Sequence, residues 1–251
     1  MSDINKLLEN LTLEEKISLL TGFNSWYSNK IPRLKIPSMK MSDGPNGVRG
    51  DSTSGKSSAC FPCPISMGST WNKKLIKKIG TALGEEALDK DVDVLLGPTI
   101  NLHRHPLGGR HFENFSEDPF LTAEIAVAYV KGVQSKRVSA CLKHFVANDT
   151  EFERHTVSSN LDERTLREVY LLPFEMGIKK AKAKSVMSAY NKLNNIYCSS
   201  NEDLLVKVLK KEWGFDGYVV SDWGAALETI KNAKGGLDME MPGPGHTWGE
   251  K

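Results

Sequence analysis

In the stretch VVSDWGA, Val219 to Ala225, an apolar strand-like pair runs into an aspartate, a tryptophan and a glycine. A lone aspartate in such a place is ordinarily a surface or capping group. Ionised, rigidly aimed and shielded at the end of a buried strand, however, a carboxylate can attack an electrophilic carbon such as the anomeric centre of a sugar. Trp223 beside it offers a flat apolar face to a ring. A sugar pocket also needs donors and acceptors matched to each hydroxyl, because buried polar groups select only when each finds a partner. Asp43, Arg110, Lys143, His144 and Tyr190 make up such a set.

Other chemistry-bearing motifs fit their contexts less well. Gly50 to Ser57, GDSTSGKS, satisfies a phosphate-loop pattern. A phosphate loop needs a strand before it and a helix after it, whereas the turn-rich SDGPNGVR precedes this one and the proline-broken ACFPCP follows. Cys60 and Cys63 form a CxxC with Pro62 inside it and no helix starting at the first cysteine, so packed or incidental thiols are expected instead of a redox pair. His103, His105 and His111 share one loop, but no carboxylate completes a ligand spacing, and no metal is expected. Lys143 at a strand end could also serve as a Schiff-base nucleophile, although His144 and the SDW stretch suit hydroxyl binding better.

These side chains need a scaffold. Thr12 and Glu15 have capping-box spacing ahead of a first helix. MKMS reads as a short strand, Thr70 as the cap of a long helix NKKLIKKIGTALGEEALDK, and VDVLLGP as a strand. A helix around LTAEIAVAYVKGVQ and the strand VSACLKHF follow. Next come the helix DERTLREVYLLPFEMGIKKAKA and strand SVMSAY, the helix NEDLLVKVLKKEW and strand GYVVSD, and finally ALETIKNA and the strand-like GLDMEM. Apolar strands alternating with amphipathic helices indicate a parallel sheet covered by helices. Asp43, Lys143, His144, Tyr190 and Asp222 all fall at strand carboxyl ends, which share one rim in a barrel. The expected fold is therefore α/β, a TIM-like (β/α)8 barrel over residues 1–251. It reads as cut short at its C-terminal end, where MPGPGHTWGEK stands in place of a last helix.

The 251 residues, 39% hydrophobic, suffice for one large core. Thirty-three basic and thirty-one acidic residues leave a net charge of +2, with lysines spread along helices, which argues against nucleic acid or an anionic membrane as partner. No run approaches the roughly 18 apolar residues of a membrane span, and MSDINKLLENLTLEEK lacks a signal-peptide core. The expectation is a soluble, cytoplasmic protein. The sequons at Asn10, Asn114 and Asn148 would matter only after secretion, and the four cysteines suggest no secreted disulfide framework.

Taken in order, LTLEEKISLLTG, MSDGPNGVRG, FPCPISMGSTWN, GEEALDKDVDVLLGP, GGRHFENFSEDP, KHFVANDTE, DERTLREVYLLPFE, SAYNKLNN and VVSDWGA resemble the N-terminal catalytic barrel of a two-domain β-glucosidase of glycoside hydrolase family 3. The resemblance spans nearly the whole chain. It implies a retaining hydrolase acting on terminal β-D-glucosyl residues, with Asp222 as nucleophile of a double displacement. By the same resemblance Asp43 would bind outer hydroxyls, and Arg110, Lys143 and His144 the others. Tyr190 would lie near the nucleophile, Trp223 would wall the sugar, and Arg49, Glu113 and Glu117 would either orient these groups or play a solvated, structural role. No cofactor is implied. The implied partners are a β-glucoside or oligosaccharide, together with a C-terminal α/β domain or a second copy of the chain.

A retaining glycosidase needs a second carboxyl group, about 5 Å from the nucleophile. In two-domain relatives it is a glutamate from the domain after the barrel, an α/β sandwich not expected within these 251 residues. Single-domain β-N-acetylhexosaminidases use a histidine in a segment like KHFPGHGDT, where this chain reads KHFVANDTEFERH without that histidine. His155 and Glu151 are the nearby substitutes. The alternative is a sugar-binding remnant without turnover.

Overall fold

The structure, a computed structural model, describes residues 4–50 and 56–248. In chain order the strands are β1 (Met41–Asp43), β2 (Val94–Leu96), β3 (Ser139–Phe145), β4 (Ser158–Ser159), β5 (Ser185–Ser188), β6 (Lys192–Leu193), β7 (Ile196–Tyr197) and β8 (Tyr218–Ser221). A parallel sheet runs β1-β2-β3-β5-β8, and β4-β6-β7 form a small separate sheet. Side chains on the main strands alternate with period two. Leu95, Leu142, Val186 and Val219 join the large core under the helices, while Met41, Val94, Leu96, Cys141, Met187 and Val220 join Met239 and Met241 in a second, inner cluster. An inner cluster fed by every strand is the packing of a barrel interior.

The five strands curl into a TIM-like α/β fold, and single bridges carry the circuit further. Met239 of GLDMEM pairs with Val220 of β8, and Glu240 with Thr21. Gly22 then pairs with Ser28, and Tyr27 with Lys40, beside β1. The last two pairings are antiparallel, so a hairpin-like N-terminal segment occupies one stretch of the circuit.

Helix α4 (Lys73–Asp89) buries Ile76, Gly80, Leu83, Gly84 and Ala87, a stripe at helical spacing that turns the lysines outward. It crosses α5 (Pro119–Gln134) at two facing glycines. A Cβ on Gly80 would stand 2.5 Å from the Tyr129 carbonyl oxygen, and one on Gly132 2.4 Å from that of Lys77, so only glycine admits this approach. The capping box at Thr12 and Glu15 forms as expected and starts α2 (Leu13–Leu19), which follows α1 (Ile4–Asn10).

Two local expectations need correcting. Asn72, not Thr70, caps α4 by accepting from the Leu75 amide. The Thr70 hydroxyl instead donates to the Met67 carbonyl at the end of α3 (Pro64–Ser69). The helix expected across DERTLREVYLLPFEMGIKKAKA is divided into α6 (Glu163–Thr165), a π-helical turn (Leu166–Tyr170) and α7 (Leu172–Ala181). Pro173 lacks an amide hydrogen and its ring crowds the preceding turn. The Leu171 amide reaches back to the Leu166 carbonyl at 2.8 Å, and Pro173 then sits in the first turn of α7, where its missing amide costs nothing. Beyond β7, the helix over Asp203–Glu212 is also π-type, and α8 (Thr229–Gly235) follows β8.

Candidate active site

β8 delivers Asp222 to the rim with its main-chain amide on the Ser188 carbonyl of β5 at 3.2 Å. Its Oδ1 accepts from the Trp223 amide at 2.8 Å. Oδ2 is buried and accepts no hydrogen bond. Burial pushes the carboxyl's pKa up, opposed by Lys143, the Trp223 amide and Arg110. A buried carboxylate oxygen left without a donor is costly, and it is the feature expected of a group kept available for something else.

The pairing of β3 with β5 shifts register between Leu142 and Phe145. Such an irregularity re-aims side chains, and here both Lys143 and His144 come to the site. Lys143, 4% exposed, reaches Asp43 Oδ1 at 3.3 Å, and Arg49 lies 3.9 Å from the other oxygen. His144 Nε2 stands 3.5 Å from Asp222 Oδ2. Burial holds the imidazole's pKa well below its ordinary value, and the charges of Arg110, Lys143 and Arg154 push the same way.

Arg110 forms a bidentate pair with Glu113 at 2.9 and 2.7 Å, and Glu151 lies 3.8 Å away. Burial opposes its charge, but these carboxylates outweigh it and raise its pKa. Glu151 also accepts from Arg154, whose guanidinium lies 4.6 Å over the Tyr190 ring, with His155 edge-on at 4.5 Å. The Tyr190 hydroxyl donates to the Trp223 carbonyl at 2.8 Å. Burial, then the nearby Asp222 charge, raises the phenol's pKa. The Trp223 indole donates to the Ser25 carbonyl at 3.0 Å and leans on Trp26, ring centres 5.5 Å apart.

All seven residues singled out from the sequence therefore meet at one rim. Of the three orienting candidates, Glu113 and Arg49 touch the set, while Glu117 is exposed on the loop before α5. Three contributors were not foreseen. Arg154 stands far in sequence from the Tyr190 ring it covers, Trp26 from Trp223, and Asn101 lies on an extension of β2 beside β3. Only the fold brings them in.

The competing motifs fall elsewhere. The phosphate-loop pattern lies mostly on residues 51–55, outside the described residues, and residues 56–63 after it contain no helix. Cys60 and Cys63 are free thiols. His103 and His111 stack at 5.0 Å, with His103 Nε2 on main-chain carbonyls, and among the described residues no His, Cys, Asp and Glu group could hold a metal. Of the sequons, Asn114 and Asn148 are buried. No helix among the described residues is long and apolar enough to cross a membrane.

A β-glucosidase of Rhizobium radiobacter is 55% identical over 250 residues, covering 99% of this chain and 31% of the relative. Thermostable β-glucosidase B of Acetivibrio thermocellus is 48% identical over 96% of this chain and 33% of its own length. The chain thus spans about a third of these relatives. Among solved structures, β-glucosidase 3B from Thermotoga neapolitana in complex with α-D-glucose superposes with a TM-score of 0.92 at 45% identity, over 96% of this chain and 36% of that one. The Kluyveromyces marxianus β-glucosidase in complex with glucose gives 0.95 at 44% identity, over 97% and 30%. Residues 5–240 match the model of the glycosyl hydrolase family 3 N-terminal domain, and the chain belongs to that family.

Proposed function

We propose that this rim holds the terminal β-D-glucosyl unit of a β-glucoside and that Asp222 attacks its anomeric carbon in a retaining double displacement. The observation that carries the reading is Asp222 Oδ2, buried without a hydrogen bond near Lys143 and Arg110, both close enough to act on its charge. The attacking oxygen forms the glycosyl–enzyme bond as the leaving oxygen departs, and water later reverses the exchange. Asp43, Lys143, His144 and Arg110 bind the hydroxyls, Tyr190 steadies the Trp223 backbone next to the nucleophile, and the Trp223 ring, held by Ser25 and Trp26, walls the sugar. The names of the relatives, all β-glucosidases, support glucose as the glycone.

The proton donor is proposed to come from outside the described rim, on a C-terminal α/β domain or a second copy of the chain. Glu113 and Glu151 both face arginines, and His155 packs its edge against Tyr190. Losing a proton-transfer partner typically lowers a rate by about 10²- to 10⁴-fold, so substrates with good leaving groups suffer least.

Incubation with 2-deoxy-2-fluoro-β-glucosyl fluoride, followed by intact-protein mass spectrometry, tests the nucleophile without needing an acid. One glycosyl adduct on Asp222, absent from Asp222→Asn, is the expected result. A folded protein that binds glucose but never forms the adduct would replace this reading with a sugar-binding remnant.

A further inference from the structure

We propose that Asn101 is a positioning residue that fixes His144 in the tautomer protonated on Nδ1, so that Nε2 presents a bare lone pair to the sugar and to Asp222. The orientation of Asn101 is settled by the main chain. Thr99 bridges to Lys143, and the Ile100 amide donates to the Lys143 carbonyl at 2.7 Å, which sets buried Asn101 alongside His144. Its Nδ2 donates to the His144 carbonyl at 2.9 Å, and its Oδ1 accepts the His144 amide at 3.0 Å. Turning the amide over would set oxygen against oxygen and N–H against N–H, so the assignment has one solution.

The same Oδ1 lies 3.1 Å from His144 Nδ1. An amide oxygen only accepts, so Nδ1 must carry the hydrogen. A neutral imidazole then has no hydrogen on Nε2, and Nε2 faces Asp222 Oδ2 at 3.5 Å with no proton of its own to give. The charged and titratable groups around this contact are Asp222 after β8, Lys143 on β3, Arg110 and Arg154 on the flanking loops, and the phenol of Tyr190. The three cations oppose a further charge on the imidazole.

Two consequences follow. A sugar hydroxyl can donate a hydrogen bond to Nε2 and turn its oxygen toward cationic donors such as Lys143. The nucleophile also keeps its free oxygen. The opposite tautomer would donate Nε2–H to Oδ2 and stabilise the carboxylate before attack, an interaction weakened as the glycosyl bond forms, which slows the step. This kinetic consequence rests on Asp222 acting as nucleophile, whereas the tautomer does not.

The test reads both separately. Long-range ¹H–¹⁵N correlation spectra of the ring-labelled protein at neutral pH should place His144 Nδ1 in the protonated range and Nε2 in the unprotonated range. A protonated Nε2 would overturn the proposal, and no variant is needed to see it. Asn101→Asp puts a carboxylate on Nδ1–H, favours imidazolium, and should move the acid limb of fluoroglucosyl trapping upward by on the order of one pH unit or more. A variant that loses thermal stability while keeping the wild-type limb and ring shifts would reduce Asn101 to a structural role and sink the proposal. The expected ring shifts with no trapping in the wild type would uphold the tautomer and refute the nucleophile.

Discussion

Two places in this molecule take charges out of water, and they do it in opposite ways. At the C-terminal end of α4, Glu86 and the capping Lys90 form an i,i+4 pair with side chains 14% and 1% exposed. Lys90 Nζ uses all three donors, on Val48 O, Ser58 Oγ and Glu86, and Glu86 also accepts the Val48 and Ala59 amides. At the rim, Asp222 Oδ2 is equally shielded and accepts nothing. The first arrangement is closed: it pins both described ends of the segment after Asp43 and leaves no capacity for a ligand. The second is open, carrying a desolvation cost that its surroundings only partly offset. Burial of charge alone therefore does not mark a site. Unfilled hydrogen-bonding capacity next to that charge does.

The sharpest way to break this contrast is Asp222→Asn. If the open oxygen exists for chemistry, the variant should lose trapping by about 10⁴-fold or more while its melting temperature stays level or rises, because an uncompensated buried charge has been removed. The rise should appear only as pH climbs. Burial raises the folded carboxyl's pKa above its ordinary value, so the folded state binds that proton more readily, and the penalty grows as pH rises from the ordinary carboxylate range through the raised pKa. A variant less stable than wild type at neutral pH would show that Asp222 is a structural anchor.

Lys90→Met should do the reverse. Breaking the closed pair strands Glu86 and removes three hydrogen bonds at once, with an expected loss of about 3–5 kcal/mol in chemical denaturation. Trapping by the folded fraction should fall far less than in Asp222→Asn. A loss under about 1 kcal/mol would mean that the segment after Asp43 is held by something other than this pair.

The two regions also differ in how much of them can be read from sequence. Strand ends carrying Asp43, Lys143, Tyr190 and Asp222 are legible because a buried strand is a short apolar run and a polar residue closing it has few structural uses. Capping at Thr12 is legible because it is local. Asn101 is not, since its partner His144 is 43 residues away and meets it only because β2 and β3 are neighbours. Ser25, at 198 residues from Trp223, belongs to the N-terminal hairpin that helps complete the sheet circuit through single bridges, which leave no strand-length signature. The spacing of Glu86 and Lys90 suggests an ordinary exposed helix pair. What closes it off are Val48, Ser58 and Ala59, whose turn-rich sequence gives no sign of where they pack.

Asp149 provides an intermediate case. Burial pushes its carboxyl up to about 6, while the Leu102 amide, then Arg104 and His111, pull it down, and the Leu102 amide donates at 3.0 Å. The folded value exceeds the unfolded one, so Asp149 reduces stability increasingly as pH rises from about 4 to about 6, and the loss levels off above that. Asn at this position keeps an acceptor for Leu102 without the charge. Asp149→Asn should match wild type near pH 4 and exceed it by roughly 2 kcal/mol above pH 6, a figure reduced because the residue is only partly buried. Parallel stability curves for the two proteins would place Asp149 with the fully compensated charges.

The smallest effect is expected at Arg164 and Glu168, another i,i+4 pair, 3.1 Å apart with side chains 83% and 61% exposed. It shares its spacing with Glu86 and Lys90 and differs in what surrounds it. In water the attraction is weak and two long side chains must be held still to obtain it, so Arg164→Ala should change stability by less than about 0.5 kcal/mol and leave trapping unaltered. The pair spans the junction of α6 with its π-helical turn, which makes the outcome informative. A loss above about 1 kcal/mol, suppressed by salt, would show that the exposed pair braces the turn imposed ahead of Pro173. In that event spacing would matter as much as surroundings, and the contrast between closed and open charges would hold only where both partners are buried.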